Sequence, residues 1–179
     1  MESTTNILSL VNIPTEEVFC GPDRNNVNGT VSSTKPLVIG GSLIDKLKIG
    51  FENGKVTEAS AEVGEDLMMK ILDTDEGSRR LGEIALVPHS SPISKSGKLF
   101  YNTLYDENAS CHLALGSAYR QIIKGGKDMT DEEFEAAGGN ISKKHVDFMV
   151  GSDEVDVDGL TASGDSEPVM RSGEWAFEL

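Results

Sequence analysis

The stretch Y-D-E-N-A-S-C-H-L-A-L-G-S-A-Y, residues 105–119, gathers four reactive side chains within fifteen residues. They are the carboxylate of Glu107, the thiol of Cys111, the imidazole of His112 and the phenol of Tyr119. A spacing of five between Glu107 and His112 fits no single helical face, so we expect one element to end at Glu107 and another to begin at His112. A catalytic or metal site needs such groups close together, and the rest of the chain must supply their partners.

The composition is that of a globular and strongly acidic chain. Its 179 residues are 37% hydrophobic and 26% charged, which is enough for one compact domain with a sizeable core. The 30 acidic residues against 16 basic ones give a net charge of -14. Nucleic acid and anionic membrane surfaces are negative and repel such a chain, so we expect neither as a partner. Cationic partners fit, including metal ions and the ammonium group of a peptide N-terminus.

The sequence favours a cytoplasmic location. No segment approaches the roughly 18 apolar residues that a membrane span needs. The start, M-E-S-T-T-N, lacks the basic region of a secretory signal. The cysteines, Cys20 and Cys111, do not make a disulfide framework. We therefore expect a protein of the reducing cytoplasm.

Local patterns predict an α+β fold, in which a mixed or antiparallel sheet and short helices form a single compact domain. Alternating apolar residues predict one strand over 43–51, and Asn53-Gly54 is a strong hairpin signal before a returning strand over 55–61. Thr130 with Glu133 forms a capping-box pattern, which predicts a helix over 131–137. Further predicted elements are strands at 37–39, 84–87 and 145–150, helices at 65–72 and just before Leu81, a loop over 89–98, and C-terminal hairpins with turns at Asp158-Gly159, Ser163-Gly164-Asp165 and Ser172-Gly173. Glu83 is expected at an exposed strand edge, directly before the strand at 84–87.

The pair His145-x-Asp147 stands in the clearest late strand of the chain. Side chains two apart on a strand point to the same face, so this imidazole and this carboxylate project together. Such a pair is a natural set of ligands for a divalent cation. The same pattern also fits a hydrogen-bonded His–Asp pair without a catalytic role, and the local sequence leaves both interpretations open.

The adjacent Cys111 and His112 raise the alternative of a thiol nucleophile. Neighbours on a strand point to opposite faces, so His112 could not serve Cys111 as a base there. His145 could do so if the fold brought it near. A buried cysteine without a chemical role is the other interpretation.

Five long segments of the chain are distinctive when they are taken together. They are N-I-P-T-E-E-V-F (12–19), R-x-x-V-N-G-T-V (24–31), L-D-T-D-E-G-S-R-R-L-G-E-I-A-L-V-P (72–88), S-P-I-S-K-S-G-K-L-F-Y-N-T-L-Y-D-E-N-A-S-C-H-L-A-L-G-S-A-Y (91–119) and H-V-D-F-M-V-G-S-D-E-V-D-V-D-G (145–159). In this order they resemble the thermophilic aminopeptidase family, the group of aminopeptidase T, aminopeptidase S and related bacterial metallopeptidases. The similarity runs from about residue 11 to Trp175.

This resemblance implies an aminopeptidase that binds two divalent metal ions (zinc, cobalt, manganese or magnesium) and uses a metal-activated water to remove N-terminal residues from peptides. The family's metal ligands fall on positions of the expected residue type: Glu17, Glu83, Glu107, His112, His145 and Asp147. Glu83 would bridge the two metals, and Tyr119 matches the family's catalytic tyrosine. The charges agree, because four carboxylates in one pocket cannot all stay ionised without compensation, and two divalent cations supply four positive charges.

The resemblance covers the metal-binding part of the family, whose members carry a further N-terminal domain. Here N-I-P-T begins at residue 12, so we expect residues 1–10 to be a short tail and 11–179 to be the metal-binding catalytic domain, with the family's N-terminal domain absent. The alternatives are a truncated, catalytically impaired metal-binding remnant, or half of a split enzyme. The expected partners are peptides with a free N-terminus, a second copy in a homodimer, or a separate chain that carries the N-terminal domain.

Overall fold

The computed structural model describes residues 15–178. The predicted tail over 1–10, and the first three residues of the N-I-P-T-E-E-V-F segment, lie outside the described residues. The strands are β1 (Val18–Cys20), β2 (Gly29–Ser32), β3 (Leu37–Ile39), β4 (Ser42–Ile44), β5 (Lys48–Glu52), β6 (Lys55–Ser60), β7 (Leu81–Leu86), β8 (His112–Gly116), β9 (His145–Met149), β10 (Val157–Leu160), β11 (Ser166–Arg171) and β12 (Glu174–Trp175). The α-helices are α1 (Glu65–Leu72), α2 (Pro92–Lys95), α3 (Thr103–Asp106) and α4 (Asp131–Ala136), and short 3-10 turns cover Gly77–Arg79, Glu107–Ala109, Arg120–Ile122 and Gly126–Asp128.

The central element of the fold is a sheet in the order β1-β7-β8-β9, in which every neighbouring pair is antiparallel. Smaller antiparallel sheets join β2-β5-β6, β3-β4 and β10-β11-β12. The α+β architecture with antiparallel sheets and short helices, predicted from the sequence, is therefore confirmed. No helix within residues 15–178 is long and apolar enough to cross a membrane.

The core lies between one face of the central sheet and the layer formed by β5, β6 and α1. Leu115 and Phe148, from β8 and β9, are fully buried there with Ile49 and Leu72. Because side chains alternate along a strand, the residues between these apolar ones point to the other face of the sheet. That second face carries His112, Asp147 and their neighbours. The layer of β5, β6 and α1 covers only the core face, so the polar side chains are gathered on the opposite face.

Several local predictions are confirmed. The Asn53-Gly54 turn joins β5 to β6, and both residues have the positive φ angles (49° and 80°) that a tight hairpin turn requires. The capping box is present, because Thr130 accepts from the Glu133 backbone N–H while the Glu133 side chain accepts from the Thr130 N–H. The helix α4 that follows ends at Ala136, one residue earlier than predicted.

Four sequence predictions are wrong in detail. The strand expected over 43–51 is interrupted at Lys46, whose φ of 50° breaks the alternation, so that Leu43 is exposed and Ile44 is buried. Asp158 and Gly159 lie inside β10 rather than in a turn. The loop over 89–98 contains the helix α2, whose N-terminus Ser91 caps by accepting from the Ser94 N–H.

The fourth wrong prediction concerns Glu83, which does not stand exposed before a strand. It lies inside β7 and is only 5% exposed. The strand begins two residues earlier, at Leu81, because Leu81 pairs with Leu115 of β8 and is buried in the core. The Glu83 carboxylate is thereby carried into the interior, where its charge needs partners.

Candidate metal centre

The register of the central sheet places the predicted donors around two small residues of β8. Glu83 of β7 and Asp147 of β9 both lie opposite Ala114, and His145 of β9 lies opposite Gly116. Ala114 is fully buried and Gly116 has no side chain, so the space above β8 is open to the longer groups of the flanking strands. Carboxylate and imidazole side chains from both neighbours therefore converge over the middle of the sheet.

The remaining donors join from β8 itself and from the edge of the sheet. His112 opens β8 and pairs with Ala85 of β7, on the same face as Ala114. Glu17 precedes β1 and lies two residues before Phe19, which also pairs with Ala85. An extended segment places side chains two apart on one face, so Glu17 reaches the same side of the sheet.

A β-bulge at Gly82 turns Glu83 toward the site. Leu81 pairs with Leu115 on the core face, whereas Glu83 pairs with Ala114 on the opposite face, and the register shifts between them. In a regular strand Leu81 and Glu83 would share a face, so the extra residue is what separates the apolar side chain from the charged one. This role of Gly82 was not predicted from the sequence. The signal was the lone glycine inside the apolar strand pattern of 81–87.

The donor atoms form two groups that share Glu83. In the first, His112 Nε2 lies 3.6 Å from Glu83 Oε1 and 3.8 Å from Glu17 Oε2. In the second, His145 Nε2 lies 3.7 Å from Glu83 Oε2 and 3.4 Å from Asp147 Oδ1. Within each group the possible ligand atoms lie within 4.8 Å of one another. Each oxygen of the Glu83 carboxylate therefore faces a different histidine.

Backbone carbonyls orient both imidazole rings. The Nδ1 of His112 lies 3.0 Å from the Ser110 carbonyl oxygen, and the Nδ1 of His145 lies 2.7 Å from that of Ser117. A carbonyl oxygen only accepts, so each Nδ1 carries a proton and donates it. The Nε2 atoms then face the carboxylates, and in the neutral ring each has a lone pair for a metal ion. The two serines act through their backbones, which no pattern of residue types reveals.

This donor set fits divalent cations. Glu83 is 5% exposed, and its Oε2 is buried without a hydrogen-bond partner among residues 15–178. A buried carboxylate oxygen is costly unless a charge compensates it. Mixed imidazole and carboxylate ligands suit zinc, cobalt and manganese, and carboxylates alone suit magnesium. A cation between Glu83 and either histidine would supply the missing partner.

The carboxylates raise the proton affinity of both histidines in the metal-free protein. Burial lowers the pKa of His112, but the Glu83 carboxylate and the Ser110 carbonyl outweigh it and raise that pKa to about 9. Burial also lowers the pKa of His145, and Asp147 with the Ser117 carbonyl raises it to about 9. Burial raises the pKa of Asp147, yet His145 holds it below its ordinary value. In the metal-free protein, the protons on the two histidines therefore supply the positive charge that metal ions would supply.

We expect metal-free protein to lose stability as the pH rises from about 6.5 to about 9. The folded-state pKa values of His112 and His145 (about 9) lie above the ordinary value of 6.5. Their stabilisation is therefore complete below pH 6.5 and disappears as the pH passes 9. Thermal unfolding in the presence of a chelator should show a fall in Tm of at least ~2–4 °C, the shift that about 1 kcal/mol produces in a chain of this length. A Tm that stays constant or rises with pH would contradict the expectation. In His145→Gln the fall of Tm with pH should be smaller.

All the donors except His112 line a cavity of about 670 Å³, together with Tyr119 and Glu107. The Tyr119 ring centroid lies 5.1 Å from that of His145, and burial, together with the Glu83 and Asp147 charges, raises the pKa of Tyr119. Glu107 begins a 3-10 turn and helps to lower the pKa of Asp147, but it belongs to neither donor group, so its role as a ligand stays a prediction. As expected, a new element begins at His112, but Glu107 begins a 3-10 turn instead of ending an element.

Cys111 is buried and lines a different, smaller cavity. It is 4% exposed, and its Sγ lies 3.3 Å from the Val87 backbone nitrogen and 3.7 Å from Met170 Sδ. Burial raises the pKa of the thiol, which keeps it protonated. The imidazole of His145 faces Ser117 and the carboxylates instead. The geometry therefore gives Cys111 a packing role, and neither His112 nor His145 is oriented toward it as a base.

The chain is similar to known proteins over almost its whole length. A family model described as thermophilic metalloprotease (M29) matches residues 1–175. The chain is 55% identical over 168 residues to aminopeptidase AmpS of Bacillus subtilis (strain 168), covering 94% of the chain and 41% of that relative. It is 51% identical over 166 residues to aminopeptidase T of Thermus aquaticus, covering 93% of the chain and 40% of the relative. The solved structure of wild-type AmpT from Thermus thermophilus superimposes with a TM-score of 0.88 at 47% identity, over 99% of this chain and 43% of that one. The chain thus spans about two fifths of the length of the relatives it matches.

Proposed function

Because the chain belongs to the thermophilic metalloprotease (M29) family, we propose that it carries the metal-binding part of an aminopeptidase. The proposed reaction is removal of N-terminal residues from peptides by water. The observation that carries the proposal is the position of Glu83, whose two carboxylate oxygens face His112 and His145 in two adjoining donor groups. The names of the relatives support the same activity, although they describe longer proteins.

We propose that two divalent ions bind, one at each group. Glu17, Glu83 and His112 would hold the first, while Glu83, His145 and Asp147 would hold the second. A metal pair of this kind supplies a nucleophilic water at neutral pH and polarises the carbonyl that is attacked. The Ser110 and Ser117 carbonyls fix the ring orientation that such ligands need.

The chain's own residues supply acid–base and hydrogen-bonding groups around the substrate. Glu83 is the carboxylate that we assign to proton transfer from water, because it is central to both groups and almost fully buried. We assign to Tyr119, which lines the cavity beside His145, the role of stabilising the carbonyl oxygen as it becomes negative. Its raised pKa favours the protonated phenol, which can donate a hydrogen bond. Glu107 is the further acidic group in the cavity beside Asp147.

The lining of the cavity supports a peptide substrate with a free N-terminus. Its acidic donors attract a terminal ammonium group, as the net charge of -14 does at longer range. Apolar groups from β3 and α3, including Val38 and Leu104, form the wall beside the donors. A hydrogen bond of 3.0 Å from Thr103 Oγ1 to the Val38 carbonyl oxygen ties these two elements together. We infer that an apolar N-terminal residue such as leucine fits this wall better than an acidic one.

The second candidate function is metal binding without turnover. The observation behind it is that the match covers about 41% of the length of AmpS of Bacillus subtilis. In that case turnover requires groups from the part of those relatives that this chain does not match.

Chelation followed by metal addition should separate these candidates. Protein stripped with a chelator is expected to lose hydrolysis of Leu-p-nitroanilide, and cobalt, zinc, manganese or magnesium should restore it. Asp-p-nitroanilide should be the poorer substrate. Cys111→Ser should keep the activity, because serine can reproduce the contacts with Val87 and the thiol lies outside the donor groups.

Each other outcome of this experiment has a meaning. Tight metal binding without release of chromophore would favour the second candidate. Activity that survives chelation but disappears in Cys111→Ser would mean a cysteine peptidase and would overturn the metal proposal.

A further inference from the structure

Asn140 is a buried polar residue that the proposed reaction does not use. It is fully buried in the segment between α4 and β9. Its side-chain amide donates to the Gly116 carbonyl oxygen at 2.7 Å and to the Gly77 carbonyl oxygen at 2.8 Å. Its own backbone carbonyl accepts from the Ala118 N–H at 2.8 Å. Asn140 therefore holds the chain at two points, one on each side of Ser117.

Ser117 is the residue whose backbone carbonyl orients His145. The His145 Nδ1 donates to it at 2.7 Å, and the Ser117 N–H donates in turn to the Lys144 carbonyl at 2.7 Å. Just before Ser117 the chain leaves β8 through Gly116, which has a φ of 102°. Such a backbone conformation suits glycine and needs external support to keep one direction. The bonds from Asn140 to Gly116 and Ala118 provide that support.

We propose that Asn140 is a positioning residue that fixes the orientation of His145 through the Ser117 carbonyl, and so prepares Nε2 of His145 to bind a metal. The inference rests on the proposed metal centre. An amide is required there because both partners are carbonyl oxygens, which need two donors from one side chain. The Asn140 Oδ1 has no hydrogen-bond partner within residues 15–178. The N–H donors of the amide, and not its acceptor, therefore explain why an asparagine stands at this position.

The effect should be confined to His145. The carbonyl that orients His112 belongs to Ser110, and a different set of bonds holds that segment. The Ser110 hydroxyl lies 3.1 Å from the Gly151 carbonyl oxygen and 3.0 Å from the Gly151 nitrogen. Asn140 takes no part in these contacts. His112 is therefore an internal reference in the same molecule.

The test is Asn140→Ala with two readouts that do not depend on turnover. The first is the affinity for zinc and manganese, measured by competition with a chromophoric chelator. We expect one of two bound equivalents to weaken by about 10–100-fold, as on loss of groups that orient a metal-binding histidine. The second is the NMR signal of the His145 Nδ1 proton in metal-free protein. It should lose protection from solvent exchange, while the corresponding His112 proton keeps it.

Ser78→Ala is the matched control. Ser78 is also fully buried and joins the Gly77–Arg79 turn to the same segment through Ser142, 3.0 Å away, but its side-chain hydrogen bonds go to Asp75 and Ser142 and not to Gly116. A merely structural role would make both variants similar in metal affinity and in His145 exchange. Unchanged His145 protection and metal affinity in folded Asn140→Ala would overturn the proposal.

A measurement on the unaltered protein decides the question if Asn140→Ala does not fold. On zinc addition the side-chain amide signals of Asn140 should shift together with the His145 ring signals, while those of the distant Asn28 should not. An Asn140 amide that does not respond to zinc bound at His145 would overturn the inference. Failure to bind zinc at all would count against the proposed metal centre, and in folded Asn140→Ala the exchange of the His145 proton would still test the role of Asn140.

Discussion

Glu83→Gln is expected to abolish binding at both proposed metal positions and to lower peptide hydrolysis by about 10²–10⁴-fold, the range typical for loss of a group that transfers protons. The physical reason is that each carboxylate oxygen of Glu83 faces a different histidine, at 3.6 Å and 3.7 Å. Glutamine keeps the shape but removes the charge, and one of its two terminal atoms becomes an N–H donor that cannot bind a cation. Calorimetric titration with zinc and manganese would give the number of ions bound and their affinities.

Two other variants are matched controls, because each removes one charge from only one group. Glu17→Gln should weaken the position that includes His112, and Asp147→Asn should weaken the position that includes His145. Each should keep one strong equivalent, whereas Glu83→Gln should keep none. Metal-free Glu83→Gln should remain folded, because glutamine keeps the side-chain volume and its terminal oxygen can still face His112, as Glu83 Oε1 does at 3.6 Å. Two equivalents bound with unchanged affinity by Glu83→Gln would refute the role of Glu83 as the shared ligand.

Local rules are enough for the parts of the fold that depend on neighbours in sequence. The Asn53-Gly54 hairpin, the capping box at Thr130 and the shared face of His145 and Asp147 each follow from spacing and residue type. Positive φ at a turn, an orphan N–H at a helix start and the alternation of a strand are all short-range effects. These features therefore agree between sequence and structure.

The parts that local rules missed depend on contacts between distant segments. The local pattern predicts that Glu83 lies directly before a strand, because a charged residue next to an apolar run is normally exposed. It is buried because Leu81 pairs with Leu115, which lies 34 positions later in the sequence as the numbering shows. The roles of Ser117 and Asn140 are likewise invisible, since one acts through its backbone and the other through a segment beside β9. The ligand set itself is predicted by a family resemblance, and the fold brings five of its six members into two donor groups.

Gly82→Ala is expected to destabilise the protein and to disable the centre at the same time. A Cβ atom at Gly82 would lie 2.4 Å from the Gly116 carbonyl oxygen and 2.5 Å from that of Ser117. Both atoms belong to the backbone, so the strands must separate to relieve the contact. Such overpacking costs about 1–3 kcal/mol in the free energy of unfolding. Loss of the bulge would also turn Glu83 away from Ala114 and shift the Ser117 carbonyl that orients His145.

Gly50→Ala is the control that separates this effect from the general cost of replacing a glycine in a strand. Gly50 also lies beside a register shift, between β5 and β6, but a Cβ there would be 3.5 Å from its nearest neighbour, the Cβ of Glu58. Neither glycine has a positive φ, so the two positions differ in space and not in backbone conformation. Urea unfolding and zinc titration of both variants would test the expectation. Gly50→Ala should stay within about 1 kcal/mol of the parent protein and bind zinc normally. If Gly82→Ala did the same, the bulge could not be what directs Glu83 into the site.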